Sequence, residues 1–206
     1  MDVGLSDSFN IQRRGKMIFR KMIYVFFALS LFGCATPNMK LSQTSNMSIA
    51  VKQDKALIYF IRPEPLGYLI NAAVYDGEEF IGFIPYKKRL PYFASPGEHR
   101  FMVISEAADF MDANVLSGKT YYVQVFPRMG AWRARFSLGP ITKEELQIDK
   151  VKTWINESQL IENKPEAYEW AKENRASVLE KKEAYLKKWL EKDRAKQRFL
   201  EPDDAL

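Results

Sequence analysis

Between Lys55 and Leu138 short apolar runs alternate with turn signals, and no helical period intervenes. The runs predict strands near Ala56–Arg62, Leu69–Tyr75, Glu79–Ile84, Leu90–Ala94, Glu98–Ser105, Asp112–Leu116, Thr120–Phe126 and Ala131–Leu138. Strands at this spacing argue for a mainly β fold, an antiparallel β-sandwich or barrel. In the last run Trp132, Ala134 and Phe136 share one side and Arg133 and Arg135 the other, which predicts one face in the core and one in water. Asp76-Gly77 supplies positive φ for a tight hairpin. Pro96-Gly97 suits the centre of a type II turn, and Ser117-Gly118 stands just before the run TYYVQVF.

After Gly139-Pro140 the period changes. Thr142 and Glu145 fit a capping box, so a short helix is expected through Ile148. Lys152–Ile161 reads as a loop that packs Trp154 and Ile155 onto the strands. From Pro165 to Leu200 there is neither glycine nor a second proline, and Pro202 follows as a stop. Tyr168, Ala171, Val178, Leu179, Tyr185, Leu186, Trp189, Leu190 and Leu200 share one side at 100° per residue, interrupted by Arg175 and Lys182. One long amphipathic helix is expected, about 54 Å if continuous. It either docks on its own domain, pairs with a protein partner or a second copy, or lies on a membrane surface. The strands are expected to fold without residues 165–206.

The N-terminal stretch has another character. Arg20 and Lys21 precede eleven uncharged residues, Met22 to Phe32, and the chain turns polar directly after Gly33-Cys34. A basic patch followed by a short apolar run is the pattern of an export signal. A bilayer-spanning helix needs about 20 apolar residues, more than this run offers. Met17 is an alternative start, because Met17 to Lys21 already forms a complete basic region. Leu31-Phe32-Gly33-Cys34 resembles the lipobox of bacterial lipoproteins, with an aliphatic residue at −3, a small residue at −1 and the cysteine at +1; Phe32 is a bulkier occupant of −2. The resemblance implies cleavage between Gly33 and Cys34 and attachment of diacylglycerol to the Cys34 sulfur. Two other readings stay open: a buried cysteine in an ordinary apolar segment, and cleavage after Ala35, which leaves a soluble periplasmic protein. Ala35 is not the aspartate that retains enterobacterial lipoproteins at the inner membrane, so the lipoprotein resemblance implies an outer-membrane location facing the periplasm. The expected layout is a signal over 1–33, a tether over 34–54 with a reach of about 25 Å, a β domain over 55–140, a connector over 141–164 and the helix over 165–206.

The stretch VYDGEEFIGFIP, followed by SPGEHRF, resembles the hairpin-and-turn pattern of PEGA-type β-sandwich domains. With ALIYFIRP and SGKTYYVQV added, the span resembles an uncharacterised domain-of-unknown-function family found in bacterial lipoproteins. That likeness implies an Ig/PEGA-like sandwich and brings no catalytic residues with it.

Charge changes the picture little. The chain has 31 basic and 26 acidic residues, but the leader holds five basic and two acidic ones. The remainder carries 26 and 24, a net +2, which speaks against nucleic acid as a partner. The helical tail from Lys164 has 11 basic and 10 acidic residues, a solvated mixture rather than a polybasic arm. Cys34 is the sole cysteine and His99 the sole histidine, so the common zinc sets are excluded once the sulfur is lipidated. Glu106, Asp109 and Asp112 could gather round a hard cation but lack an EF-hand's spacing. No nucleotide, cofactor or nucleophile-elbow motif appears. Arg128, Arg133 and Arg135, with Trp132 among them, form a candidate binding surface for an acidic glycan or lipid headgroup; Lys87, Lys88 and Arg89 form another basic cluster. Tyr68, Tyr75, Tyr86, Tyr92 and Trp132 would be the stacking rings of a carbohydrate- or peptidoglycan-binding module. The expectation is a non-enzymatic, lipid-anchored envelope protein without a cofactor. An enzyme would need a cleft around His99 or the acidic loop.

Overall fold

A computed structural model describes residues 38–43, 49–130 and 135–206. The signal segment, Gly33, Cys34, Trp132 and Arg133 lie outside the described residues, as do the first four positions of the predicted strand Ala131–Leu138. Among the described residues eleven strands form two sheets: β1 (Met39–Leu41), β2 (Ala56–Arg62), β3 (Ala72–Asp76), β4 (Glu79–Ile84), β5 (Lys88–Ala94), β6 (Gly97–Ile104), β7 (Ala108–Val115), β8 (Thr120–Arg128), β9 (Arg135–Ile141), β10 (Gln159–Asn163) and β11 (Phe199–Leu200). Three α-helices of the same residues join them: α1 (Asp149–Glu157), α2 (Pro165–Glu173) and α3 (Arg175–Leu190).

The first sheet has the order β1-β10-β5-β2-β8-β9 and the second β11-β7-β6-β3-β4. The expected all-antiparallel arrangement is corrected: β2 runs parallel to β8, β10 to β5 and β11 to β7. β2 and β8 can be parallel because five strands of chain intervene, and β10 and β11 because each follows a helical segment, where a tight hairpin would force antiparallel pairing.

Burial is nearly continuous along β2, β3 and β7. Each has partners on both faces. Phe60 of β2 meets Phe101 of β6 edge-on at 5.4 Å, joining the two sheets in one core. On its other face the second sheet is covered by α2 and α3: Trp170 packs 4.8 Å from Phe83, and Tyr185 and Trp189 pack on Phe110. On the outer face of the first sheet, α1 brings Val151, Trp154 and Ile155 to Ile61 and Ile141, and Ile49 and Val51 lie against Leu57 and Tyr59.

The single long C-terminal helix is also corrected. Asn174 interrupts it, with backbone near the bridge region and its side-chain amide donating to the Trp170 carbonyl. The second part stops at Leu190, where the Gln197 side chain donates to the carbonyls of Trp189 and Lys192. Satisfying those last carbonyls ends the helix, and Phe199–Leu200 returns as a strand beside β7. Trp189 and Leu200 are fully buried, so this segment belongs to the core. Residues 39–41, inside the stretch expected to be a tether, pair with β10. The 152–161 stretch, expected as a loop, is most of α1 and the start of β10.

Local chemistry matches the sequence where it is short-range. Thr142 and Glu145 exchange reciprocal hydrogen bonds at 2.9 and 3.2 Å around a 3-10 turn. Gly77 holds φ +58° in the β3–β4 hairpin. Gly82 is needed for space: a Cβ there would lie 2.5 Å from Asn163 Oδ1 and 2.7 Å from Leu90. Asn163 in turn donates to the Ile81 carbonyl at 2.9 Å, tying β10 to β4 across the two sheets.

Candidate functional site: a basic cleft beside the β8–β9 hairpin

Arg128 ends β8 and Arg135 begins β9, and the hairpin pairs them directly opposite each other. Helix α3 faces them with Lys181 and Lys188, two turns apart on one side, and Tyr185 between. The β6–β7 turn closes the other wall with Glu106 and Ala107. These side chains surround a cleft of about 330 Å3.

Beneath the cleft lies Asp109, whose side chain is 1% exposed. One of its oxygens accepts from Arg198 at 2.6 Å and lies 3.3 Å from Arg128. The other oxygen has no hydrogen-bond partner. Arg135 stands 3.7 Å from Glu106, a loose pair, and Lys181 donates to the Ser105 carbonyl at 2.8 Å. Lys188 has no hydrogen bond or ion pair among the described residues. The Nε–H groups of Arg128 and Arg135 are likewise unanswered. Four cations thus line the cleft against one carboxylate at its wall. Charge of one sign in a concave, partly desolvated site concentrates the field on an approaching anion. Guanidinium forks suit carboxylate or phosphate oxygens.

Tyr185 is fixed in this wall. Its ring stacks on Phe110 at 5.8 Å, and Lys192 donates to its hydroxyl at 2.8 Å. The cleft is therefore mounted on buried aromatic packing rather than on a loop.

The structure brings together two of the four residues expected in a binding surface, Arg128 and Arg135; Arg133 and Trp132 lie outside the described residues. Sequence reasoning missed Lys181 and Lys188, which sit in a helix of balanced charge. The seven-residue spacing around Tyr185 was the available signal. The other basic cluster is absorbed locally: Lys87 pairs with Glu157 at 3.1 Å, Lys88 bonds Gln159, and Arg89 is buried, donating to the Ile155 carbonyl.

The acidic trio does not converge on a common point. Glu106 faces Arg135, Asp109 faces Arg198 and Arg128, and Asp112 accepts from Arg100 at 2.6 Å with Arg194 at 3.6 Å. Among the described residues no group of three or more such side chains is arranged to hold a metal ion.

His99 lies in a separate cavity of about 400 Å3 with Arg100, Asp112 and Arg194. Its Nδ1 is 2.6 Å from Asp76 Oδ2 and its Nε2 is 2.8 Å from the Ser95 carbonyl. Both partners are acceptors, so only the doubly protonated ring satisfies both bonds. The Asp76 hydrogen bond raises the His99 pKa against the opposing effect of burial, with the Ser95 carbonyl helping. Tyr92 donates to the same Asp76 oxygen at 3.0 Å, and the imidazole stacks on Phe101. Both ring nitrogens are thus engaged by neighbouring acceptors.

The expected stacking rings are scattered. Tyr75 is 3% exposed, Tyr92 is tied to Asp76, and Tyr68 projects on a different loop. Among the described residues no helix is long and apolar enough to cross a membrane. No family model and no curated protein matches the chain.

Proposed function

We propose that this chain is a non-enzymatic, lipid-anchored protein of the bacterial cell envelope. Its body is a sandwich-type interaction module that receives an anionic partner in the basic cleft. The observation that carries the anchor is the place of the sole cysteine, at the end of a basic-then-apolar leader and within Leu31-Phe32-Gly33-Cys34. The cleft supports the binding role: its four cations come from two strands and a helix that pack for their own reasons. The outer membrane, facing the periplasm, is the proposed location, and Ala35 after the cysteine supports it.

The mass of the N-terminal peptide from protein made in its native host tests the anchor. Expected is a peptide beginning at Cys34 and bearing diacylglycerol on sulfur, with Cys34→Ser protein released from the membrane fraction. An intact leader, or an unmodified thiol on membrane-free protein, overturns it.

A further inference from the structure

Several connections leave the two sheets at one end. Arg62 closes β2, and the 63–71 loop runs from there to the start of β3 at Ala72. β8 lies parallel to β2 with Gln124 beside Ile61, so its last residue, Arg128, reaches beyond Arg62 at this end. β6 finishes opposite the start of β3, Ile104 beside Ala73, which brings the β6–β7 turn to the same end. The basic cleft is lined by Arg128 and Arg135 of the hairpin and by Glu106 of that turn, so it shares this end with the 63–71 loop. Gln124 donates to Glu64 at 3.1 Å, which holds the loop alongside β8.

The end is apolar at its tips. Leu66 is 49% exposed, Tyr68 63% and Leu69 77%, and Met129, next to Arg128, is 87% exposed. A slack loop would fold such side chains inward. This one is held: Arg62 donates to the carbonyls of Leu66, Gly67 and Ile70, and the Ile70 N–H donates to the Gly67 carbonyl at 2.8 Å. Gly67 supplies the left-handed φ of +69° that the turn needs. The loop thus keeps large apolar side chains in water, a cost that burial against another apolar phase would offset.

The neighbouring charge says which phase. Lys188 is exposed and has no hydrogen bond or ion pair among the described residues, and Arg135 is held only loosely by Glu106. Guanidinium and ammonium groups beside apolar tips suit phosphate headgroups over acyl chains. Tips on two separate connections also match a fluid phase, which conforms to them, better than a rigid partner, which needs a groove shaped to each.

We propose that this end of the body docks on an anionic phospholipid bilayer. Leu66, Tyr68, Leu69 and Met129 enter the boundary between headgroups and acyl chains, while Arg135 and Lys188 meet the phosphates. The inference rests on the reading of the cleft as an anion site and names its partner.

Environment-sensitive fluorescence on the full chain tests it. Leu69→Cys in a Cys34→Ser background carries the fluorophore at the tip. Asp54→Cys in the same background carries it at the opposite end, just before β2. Both positions are exposed, so labelling disturbs no packing. The leader is present in every sample, so the comparison is between positions rather than between bound and free protein. Vesicles are equal parts phosphatidylethanolamine and phosphatidylglycerol, or phosphatidylcholine alone. Expected on the phosphatidylglycerol vesicles is a blue shift at Leu69, quenched by a nitroxide on the lipid chains, and none at Asp54. Lys188→Glu should lower the ratio of buried to solvated fluorophore at Leu69 at least about fivefold, the worth of one surface cation. Leu66→Ser with Tyr68→Ser should lower it too without changing the melt, because both side chains are exposed. No shift at Leu69, an equal shift at Asp54, or an equal shift on phosphatidylcholine would each overturn the proposal. If Leu69 stays solvated while Lys188→Glu still weakens retention on an immobilised acidic polysaccharide, the cleft takes a soluble anion: the bilayer inference falls and the anion-site reading stands.

Discussion

The guanidinium of Arg62 lies 4.2 Å above the ring of Phe136, joining β2 to β9 through the interior. It is fully buried yet has no carboxylate partner among the described residues. Instead it donates to the carbonyls of Ile70, Ile84, Leu66 and Gly67, at 2.7, 3.2, 3.3 and 2.5 Å. Burial lowers its pKa to about 10, still well above neutrality, so it remains charged. One side chain thereby pins the 63–71 loop, whose tip exposes Leu66, Tyr68 and Leu69.

Arg62→Met should cost roughly 2–4 kcal/mol, because one buried and three part-buried carbonyls lose their donor while the methionine fills only part of the space. Arg62→Lys should recover little, since an ammonium cannot span the same fork. Denaturant melts give the cost. Hydrogen exchange should show the loss of protection concentrated at residues 66–70, and uniform loosening of the whole chain would contradict the local role.

Trp189 is fully buried, but its indole nitrogen has no partner. Its worth is therefore volume. Trp189→Ala should lose about 3–5 kcal/mol, and Trp189→Phe much less. Removing 165–206 should abolish cooperative melting, because Ala167, Val178, Trp189 and Leu200 leave the core together. A truncated chain that still melts sharply would restore the view of the tail as an appendage.

The His99–Asp76 pair makes stability depend on pH. The folded pKa lies above the ordinary value of about 6.5, so the native state keeps a proton that the unfolded chain releases. The contribution is fully present below about pH 6.5 and is lost as pH rises through the folded pKa. The melting temperature of wild type should fall, relative to His99→Gln, across that window from near neutrality upward. Parallel profiles for the two proteins would remove the imidazolium assignment.

Gly82→Ala should destabilise by about 1–3 kcal/mol, since neither the backbone at φ +154° nor the Asn163 side chain can give way freely. In an Asn163→Ala background the same change should cost less, a coupling that a double-mutant cycle reads directly. Additive costs would mean that the two residues do not meet as described.

The basic cleft predicts a salt-dependent effect. Lys181→Glu with Lys188→Glu should elute from an immobilised acidic polysaccharide at clearly lower salt than wild type. Lys188→Glu alone should change stability little, because that residue is exposed, whereas Lys181→Glu also gives up its hydrogen bond to the Ser105 carbonyl. Equal elution would move the anion-binding surface elsewhere.

What could be read from the sequence was local. Strands Ala56–Arg62 and Glu79–Ile84 run between the residues their apolar runs predict, and the Asp76-Gly77 turn and the Thr142–Glu145 exchange are where four-residue chemistry places them. The misses are non-local. Met39–Leu41 pairs with residues 161–163, and Phe199–Leu200 with 112–113. Strands of two or three residues carry no period, and only the partner edge makes them strands. The parallel pairing of Leu57 with Thr120 leaves no turn signal either. Arg128 and Arg135 were legible because a hairpin brings them opposite each other. Lys181 and Lys188 were not, because a helix of mixed charge looks solvated on all sides until its buried face is known.

The early pairing of Met39 with Asn163 sets a short leash. From Cys34 to Met39 the chain has five steps, which extend to about 17 Å at most. Were the proposed lipid attached at Cys34, this tie, shorter than a 20-residue string, would limit how far the body could stray from its anchor.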